Sequence, residues 1–213
     1  MSPILLHFAS ESDEATIRKI ASHGPIVEMG AGRGYWAWCL SQIGCDVLSF
    51  NEDVPPQDYK FGMYSHLFHP VQVGTPSTLK YHGDRTLLLV WPPYDDPMAA
   101  DCLRHFKGKF LCYVGEDCTA DDTFHEVLND CFEQIAWLPM STWPGIHDSL
   151  FVYRRKVPYR LMKKRMTRTY KSFKKKTIQE DNRRRAYQFS SDRMERSIWE
   201  MSQINRKGKT AGT

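Results

Sequence analysis

The sequence lacks most of the features that hold secreted and membrane proteins together. Its six cysteines, Cys39, Cys45, Cys102, Cys112, Cys118 and Cys131, are scattered, with no Cys-x-x-Cys pair. That spacing suits neither a zinc site nor a disulfide framework. Most lie in apolar stretches, where a free thiol behaves as a small hydrophobe, and reduced thiols fit a cytosolic or organelle-matrix compartment. Long hydrophobic runs are missing too. Leu87 to Val90, continuing into Trp91, falls far short of the roughly 20 apolar residues that span a bilayer, so no membrane span is expected. Ser10 to Glu14 is polar and acidic rather than Arg-rich, which argues against a targeting leader. The expectation is an intracellular protein of the cytoplasm or mitochondrial matrix, not a secreted one. His66, His69 and His82 have no Cys or Asp at ligand spacing, and no metal is expected.

What is present is a segregation of charge. The chain has 213 residues, 41% of them hydrophobic, and a net charge of +4, enough for one full-sized domain with an appendage. Met1 to Tyr153 carries 9 Lys and Arg against 20 Asp and Glu, whereas Arg154 to Thr213 carries 20 against 5. This division implies an acidic globule over residues 1–157 and a basic tail over 158–213.

Within the globule, helical and strand patterns alternate, which points to a parallel sheet. Helices are expected at 11–22, at Tyr35 to Ile43 with Gly44 ending it, at Pro97 to Phe106 and at Asp121 to Cys131, with a short one near Ser77 to Tyr81. Strands are expected at Pro25 to Met29, Asp46 to Phe50, Val71 to Val73, Thr86 to Val90, Phe110 to Val114, Glu133 to Pro139 and Ser149 to Tyr153. Residues 51–70 read as loop.

The first strand ends in Glu28-Met-Gly30-Ala-Gly32-Arg-Gly34. Glycines let the backbone turn tightly and approach a ligand, and the helix that follows offers free N–H groups. Dinucleotide folds hold a pyrophosphate with a GxGxxG spacing; here the spacing differs and an acid precedes it. A carboxylate at Glu28 suits an ammonium-bearing ligand better than a phosphate. The second strand ends in Asn51-Glu52-Asp53, about 20 residues past the first glycine, where a ribose-binding acid is expected. Either Asn51 or Glu52 is able to hydrogen-bond ribose hydroxyls.

Residues 25–53 resemble the first motif and following strand of class I, Rossmann-like, S-adenosylmethionine-dependent methyltransferases. A second stretch, Trp91-Pro92-Pro93-Tyr94 at the end of the fourth strand, is similar to the Asn/Asp/Ser-Pro-Pro-aromatic motif of family members that methylate amino nitrogens. The resemblance, which spans roughly residues 11–153, implies a mostly parallel sheet with an antiparallel last strand. It also implies S-adenosylmethionine held by Glu28, Gly30, Gly32, Gly34, Asn51 and Glu52, and an acceptor site at Trp91, Pro92, Pro93 and Tyr94. In the family the first residue of that motif accepts a hydrogen bond from the target amine; Trp91 offers only an indole donor. A different substrate, shifted chemistry or lost activity each accommodates this. Glu116, Asp117, His147 and Asp148, near other strand ends, are further polar candidates.

The tail interleaves cations with aromatic residues. Leu161, Met162, Met166, Tyr170 and Phe173 fall at helical spacing among Lys163, Lys164, Arg165, Arg168 and Lys174, Lys175, Lys176; Arg183, Arg184 and Arg185 come next. Such a segment neutralises phosphates and stacks on bases, and arginine-rich tails often order on RNA. RNA or a ribonucleoprotein is the expected partner of residues 158–213, with a membrane surface or a protein partner as alternatives. Two functions remain open: a methyltransferase delivered to RNA by its tail, or an inactive methyltransferase-fold subunit of a ribosome or other RNA assembly.

Overall fold

A computed structural model of the chain describes residues 11–53, 67–116, 119–140, 147–164 and 166–167. The chain divides into two compact units, Met1–Met166 and Thr167–Thr213, and the first contains the sheet. Seven strands, β1 (Ile26–Met29), β2 (Val47–Asn51), β3 (Gln72–Val73), β4 (Thr86–Val90), β5 (Phe110–Gly115), β6 (Phe132–Pro139) and β7 (Ser149–Arg155), are arranged in the order β3-β2-β1-β4-β5-β7-β6. The first five run parallel, and β7 is inserted antiparallel between β5 and β6. This is the Rossmann-like α/β sheet expected of the sequence.

The helices are α1 (Glu11–Ala21), α2 (Tyr35–Gln42), α3 (Met98–His105) and α4 (Asp122–Cys131), with a 3-10 turn at Pro76–Tyr81. They cover both faces of the sheet. Val27, Leu87 and Leu89 point toward Leu103 and Phe124 on one side, while Ile26 and Leu88 meet Ile17, Ile20 and Leu40 on the other. Burial on both faces is why β4 reads as a continuous apolar run rather than an alternating one. Gly44, with φ +80°, closes α2: the Cys45 N–H donates to Leu40 O and the Gly44 N–H to Ser41 O, a Schellman cap.

Parallel strands give the sheet two chemically distinct edges. The described residues that directly follow β1, β2, β4 and β5, together with His147 and Asp148 before β7, lie at the C-terminal edge, where open α/β sheets bind ligands. The segments entering β1, β2, β4 and β5, and the chain leaving β7, gather at the opposite edge.

That departing chain does not leave the globule at once. Residues 159–164 and 166–167 are helical, and Met162 and Met166 are buried in the same cluster as Leu103, Phe106 and Phe132. Arg155 fixes the start of this terminal helix. Its guanidinium lies 4.8 Å from the ring centre of Phe132 and 5.7 Å from that of Tyr159, and it donates to Gly108 O and Phe106 O. Burial lowers its pKa to about 10. The Tyr159 hydroxyl donates to Arg104 O. Of the apolar stripe expected in the tail, Met162 and Met166 therefore pack on the globule itself, while Leu161 is exposed; Tyr170 and Phe173 lie outside the described residues.

Candidate functional site

The glycine loop is the best-defined part of the C-terminal edge. Gly30 (φ +77°), Gly32 (φ +53°) and Gly34 (φ +76°) all adopt left-handed backbone, which an L side chain resists by about 1–2 kcal/mol. The Gly30 and Ala31 N–H groups both donate to Phe50 O, tying the loop to the end of β2. A Cβ on Gly30 would lie 3.1 Å from the Met98 side chain, and one on Gly34 would lie 3.0 Å from His69 O; one on Gly32 would meet nothing within 4 Å. Gly32 thus faces open space while its neighbours are held from behind.

Glu28 sits one residue before the end of β1, 2% exposed. The Ala37 N–H of α2 donates to its carboxylate, yet burial dominates and pushes its pKa up to about 8. Its Oε2 is buried with no hydrogen-bond partner. Such an oxygen is costly unless something satisfies it.

Asn51 lies at the end of β2 as expected, but its amide is engaged in holding the loop. Its Oδ1 accepts from the Gly32 N–H at 3.2 Å and its Nδ2 donates to Asp53 O at 2.7 Å. Glu52, next along, is exposed at the same edge. Two features of this end had no signal in the sequence motifs. Met98, at the start of α3, backs Gly30. Phe68 packs edge-on against Tyr35 at 5.4 Å, and its N–H donates to Arg33 O.

Trp91 follows β4 with φ +48° and is 43% exposed; its N–H donates to Val114 O. Pro92 is buried, and its carbonyl accepts from the Ala120 N–H at 3.3 Å. Pro93 is exposed, as is Tyr94. Beside them lies Asp148, immediately before β7. Its carboxyl is raised first by burial, lowered by a hydrogen bond with the Trp91 side chain, and raised by the charge of Glu116. Asp148 Oδ1 is buried and unpartnered. Glu116 in turn accepts from the His147 N–H. The pairing of Gly115 with Ser149 is what brings these two segments together; Asp117 lies outside the described residues. Among the described residues, no group of three or more His, Cys, Asp or Glu is placed to hold a metal ion, and no helix is long and apolar enough to cross a membrane.

Of the expected nucleic-acid residues, Lys163 and Lys164 are exposed on the terminal helix. The side chain of Arg165, and Arg168, Lys174, Lys175, Lys176, Arg183, Arg184 and Arg185, lie outside the described residues.

No family model matches the chain, and no curated protein does. Solved structures give remote likenesses. Magnesium protoporphyrin IX methyltransferase from Synechocystis PCC 6803, with bound S-adenosylmethionine, is 12% identical, over 67% of this chain and 77% of that one, with a TM-score of 0.43. A TehB-like SAM-dependent methyltransferase from Corynebacterium glutamicum is 20% identical, over 66% and 87%, at 0.44. The Pyrococcus abyssi tRNA (uracil-54, C5)-methyltransferase, in complex with S-adenosyl-L-homocysteine, is 15% identical, over 69% and 39%, at 0.46. At these levels no activity transfers from them to this chain.

Proposed function

We propose that the chain binds S-adenosylmethionine at the C-terminal edge of β1 and β2 and methylates an acceptor on RNA or in a ribonucleoprotein. The observation that carries the reading is Glu28 Oε2, buried and unpartnered beneath the glycine loop. An ammonium group satisfies that oxygen and draws the carboxyl into its ionised form. The residues fit the cofactor: Glu28 for the ammonium, the Gly30–Gly34 backbone around open space for the chain of the ligand, and Glu52 for the ribose. Asn51 keeps the loop in shape. When bound, the cofactor supplies the methyl group.

The chain's own residues then have to orient the acceptor, and Asp148 provides what Trp91 lacks. The indole N–H steadies the carboxylate, and the buried Oδ1 accepts a hydrogen bond from the N–H or O–H of an incoming acceptor. Its raised pKa, caused by burial and Glu116, lets it take up the released proton. Pro93 and Tyr94, which follow Trp91 closely in the chain, are exposed, Tyr94 offering a ring for a planar group. Substitution Asp148→Asn is expected to lower incorporation of labelled methyl groups into RNA about 100-fold with donor binding unchanged. Incorporation at the original rate would remove Asp148 from this role.

The donor-only indole of Trp91 supports a second reading, a methyltransferase-fold subunit of an RNA assembly. Donor binding with no transfer to any RNA, together with stoichiometric co-purification in an RNA particle, would favour it. Under either reading the basic residues from 158 onward anchor the chain to RNA, by neutralising phosphates.

A further inference from the structure

The two edges of the sheet differ in charge as well as in shape. Around the C-terminal edge stand Glu52, Asp53, Asp95, Glu116 and Asp148 against Arg33 of the glycine loop, an acidic excess that disfavours phosphate. Cations collect at the other edge, within the first unit. Lys80 and Tyr81 end the 3-10 turn that leads into β4. Lys107 and Lys109 connect α3 to β5, and the Lys107 Cβ would lie 3.2 Å from a Cβ on Gly83, so this segment packs against the turn. Arg160 and Lys164 are exposed on the terminal helix, which the Tyr159 hydroxyl ties to the C-terminal end of α3. Between these groups His105 feels the charges of both Lys80 and Lys163.

Aromatic surface lies among these cations. Tyr81 is 74% exposed, with the Lys80 ammonium 4.6 Å from its ring centre. Lys109 stands 5.1 Å from the ring centre of Phe110, which His23 meets edge-on at 5.2 Å. His23, Phe110 and Lys109 line a cleft of about 530 Å³ with Gly83, Asp84 and Arg85. Arg85 is paired with Asp46 there and Arg104 nearby with Asp101, which leaves Asp84 as the opposing acid of the cleft.

We infer that this N-terminal edge is a docking face for single-stranded RNA, with Lys80, Lys107, Lys109, Arg160 and Lys164 on the phosphates and Tyr81 under a base. Single strands are favoured over duplex because an exposed ring among spaced cations stacks on unpaired bases, which a duplex does not present. The face deepens the RNA reading above and rests on it, but it adds a geometric consequence. Strands of five or six residues separate the two edges by roughly 17–20 Å. RNA held here is therefore anchored away from the donor pocket, and the methylated group reaches that pocket from elsewhere on the RNA or its particle.

The test uses the full chain and a fluorescent oligouridine RNA of about 16 nucleotides, with anisotropy read across a salt series. The combined Lys80→Gln, Lys107→Gln, Lys109→Gln variant is expected to lose at least about tenfold in affinity, and its salt slope to fall by about 2. Tyr81→Ala is expected to lose about tenfold with the slope unchanged. A parallel variant, Arg183→Ala, Arg184→Ala, Arg185→Ala, reports on the tail alone, and S-adenosylhomocysteine binding by each variant reports on folding. Weakened binding by the tail variant with wild-type binding by the lysine variant overturns the docking face and leaves the tail reading intact. The converse upholds the face and removes the tail. Failure of the unaltered chain to bind the RNA overturns both, and tighter binding of duplex with Tyr81→Ala neutral overturns the single-strand assignment.

Discussion

Replacing Gly30 by valine is expected to abolish S-adenosylhomocysteine binding, with no saturation even at millimolar ligand. Two effects combine at this position. A β-branched residue is forced into left-handed backbone at φ +77°, at a cost of at least about 1–2 kcal/mol, and its Cβ presses on Met98 at 3.1 Å. The loop that ties β1 to the end of β2 must shift, taking the N–H groups of Gly30 and Ala31 off Phe50 O. Gly32→Val makes the informative comparison. Its Cβ meets nothing, so the loss of stability is limited to the backbone strain, yet the side chain projects into the space assigned to the ligand. Binding should disappear in both variants, while thermal unfolding falls further for Gly30→Val. Normal ligand affinity in either would remove the glycine loop as the cradle.

A second large effect is expected at the start of the tail. Met162→Ala should reduce unfolding free energy by about 2–5 kcal/mol, because the side chain is fully buried among α3 and β6 residues. Leu161→Ala, one position away but 48% exposed, should fall within about 0.5 kcal/mol of the unaltered chain. Urea unfolding of the two variants measures the difference. Equal midpoints would mean that the terminal helix contributes nothing to the globule, and a chain cut at Val157 would then be as stable as one ending at Met166.

The elements of the sheet were legible because each left a local mark. Gly44 announced the end of α2, and the unbroken apolar run of β4 announced burial on both faces. Pro25 to Met29, followed by three glycines, located the tight turn after β1. What the sequence did not show depends on contacts between distant segments. The offset of Asn51 from the first glycine placed it at the right strand end, but not the direction of its amide, which turns back onto Gly32. Asp148 stands out in the sequence only as one polar residue near a strand end; its contact with Trp91 follows from the antiparallel pairing of β7 with β5. The methionine stripe of the tail was visible as helical spacing, yet its partner, α3, lies some 60 residues earlier in the chain. Charge segregation between the sheet's edges is likewise invisible until strand directions are known; along the chain, Lys80 and Asp95 lie in one stretch whose charges of opposite sign balance.

Calorimetric titration of the full chain with S-adenosylmethionine, repeated between about pH 6 and 9, tests the central claim that Glu28 forms a methyl-donor site. Burial raises this carboxyl from 4.5 to about 8, so the unliganded chain holds it protonated at neutral pH. The stability tied to this group is full below its unfolded value near 4.5 and is lost as pH rises through about 8. An ammonium ligand that requires the ionised form offsets that loss and releases a proton on binding. Affinity should therefore climb about tenfold per pH unit toward pH 8 and fall again above it as the ligand's own α-amino group loses its proton, and Glu28→Gln should abolish both the climb and the proton release. No binding at millimolar ligand, or binding indifferent to pH and to Glu28→Gln, would contradict the account.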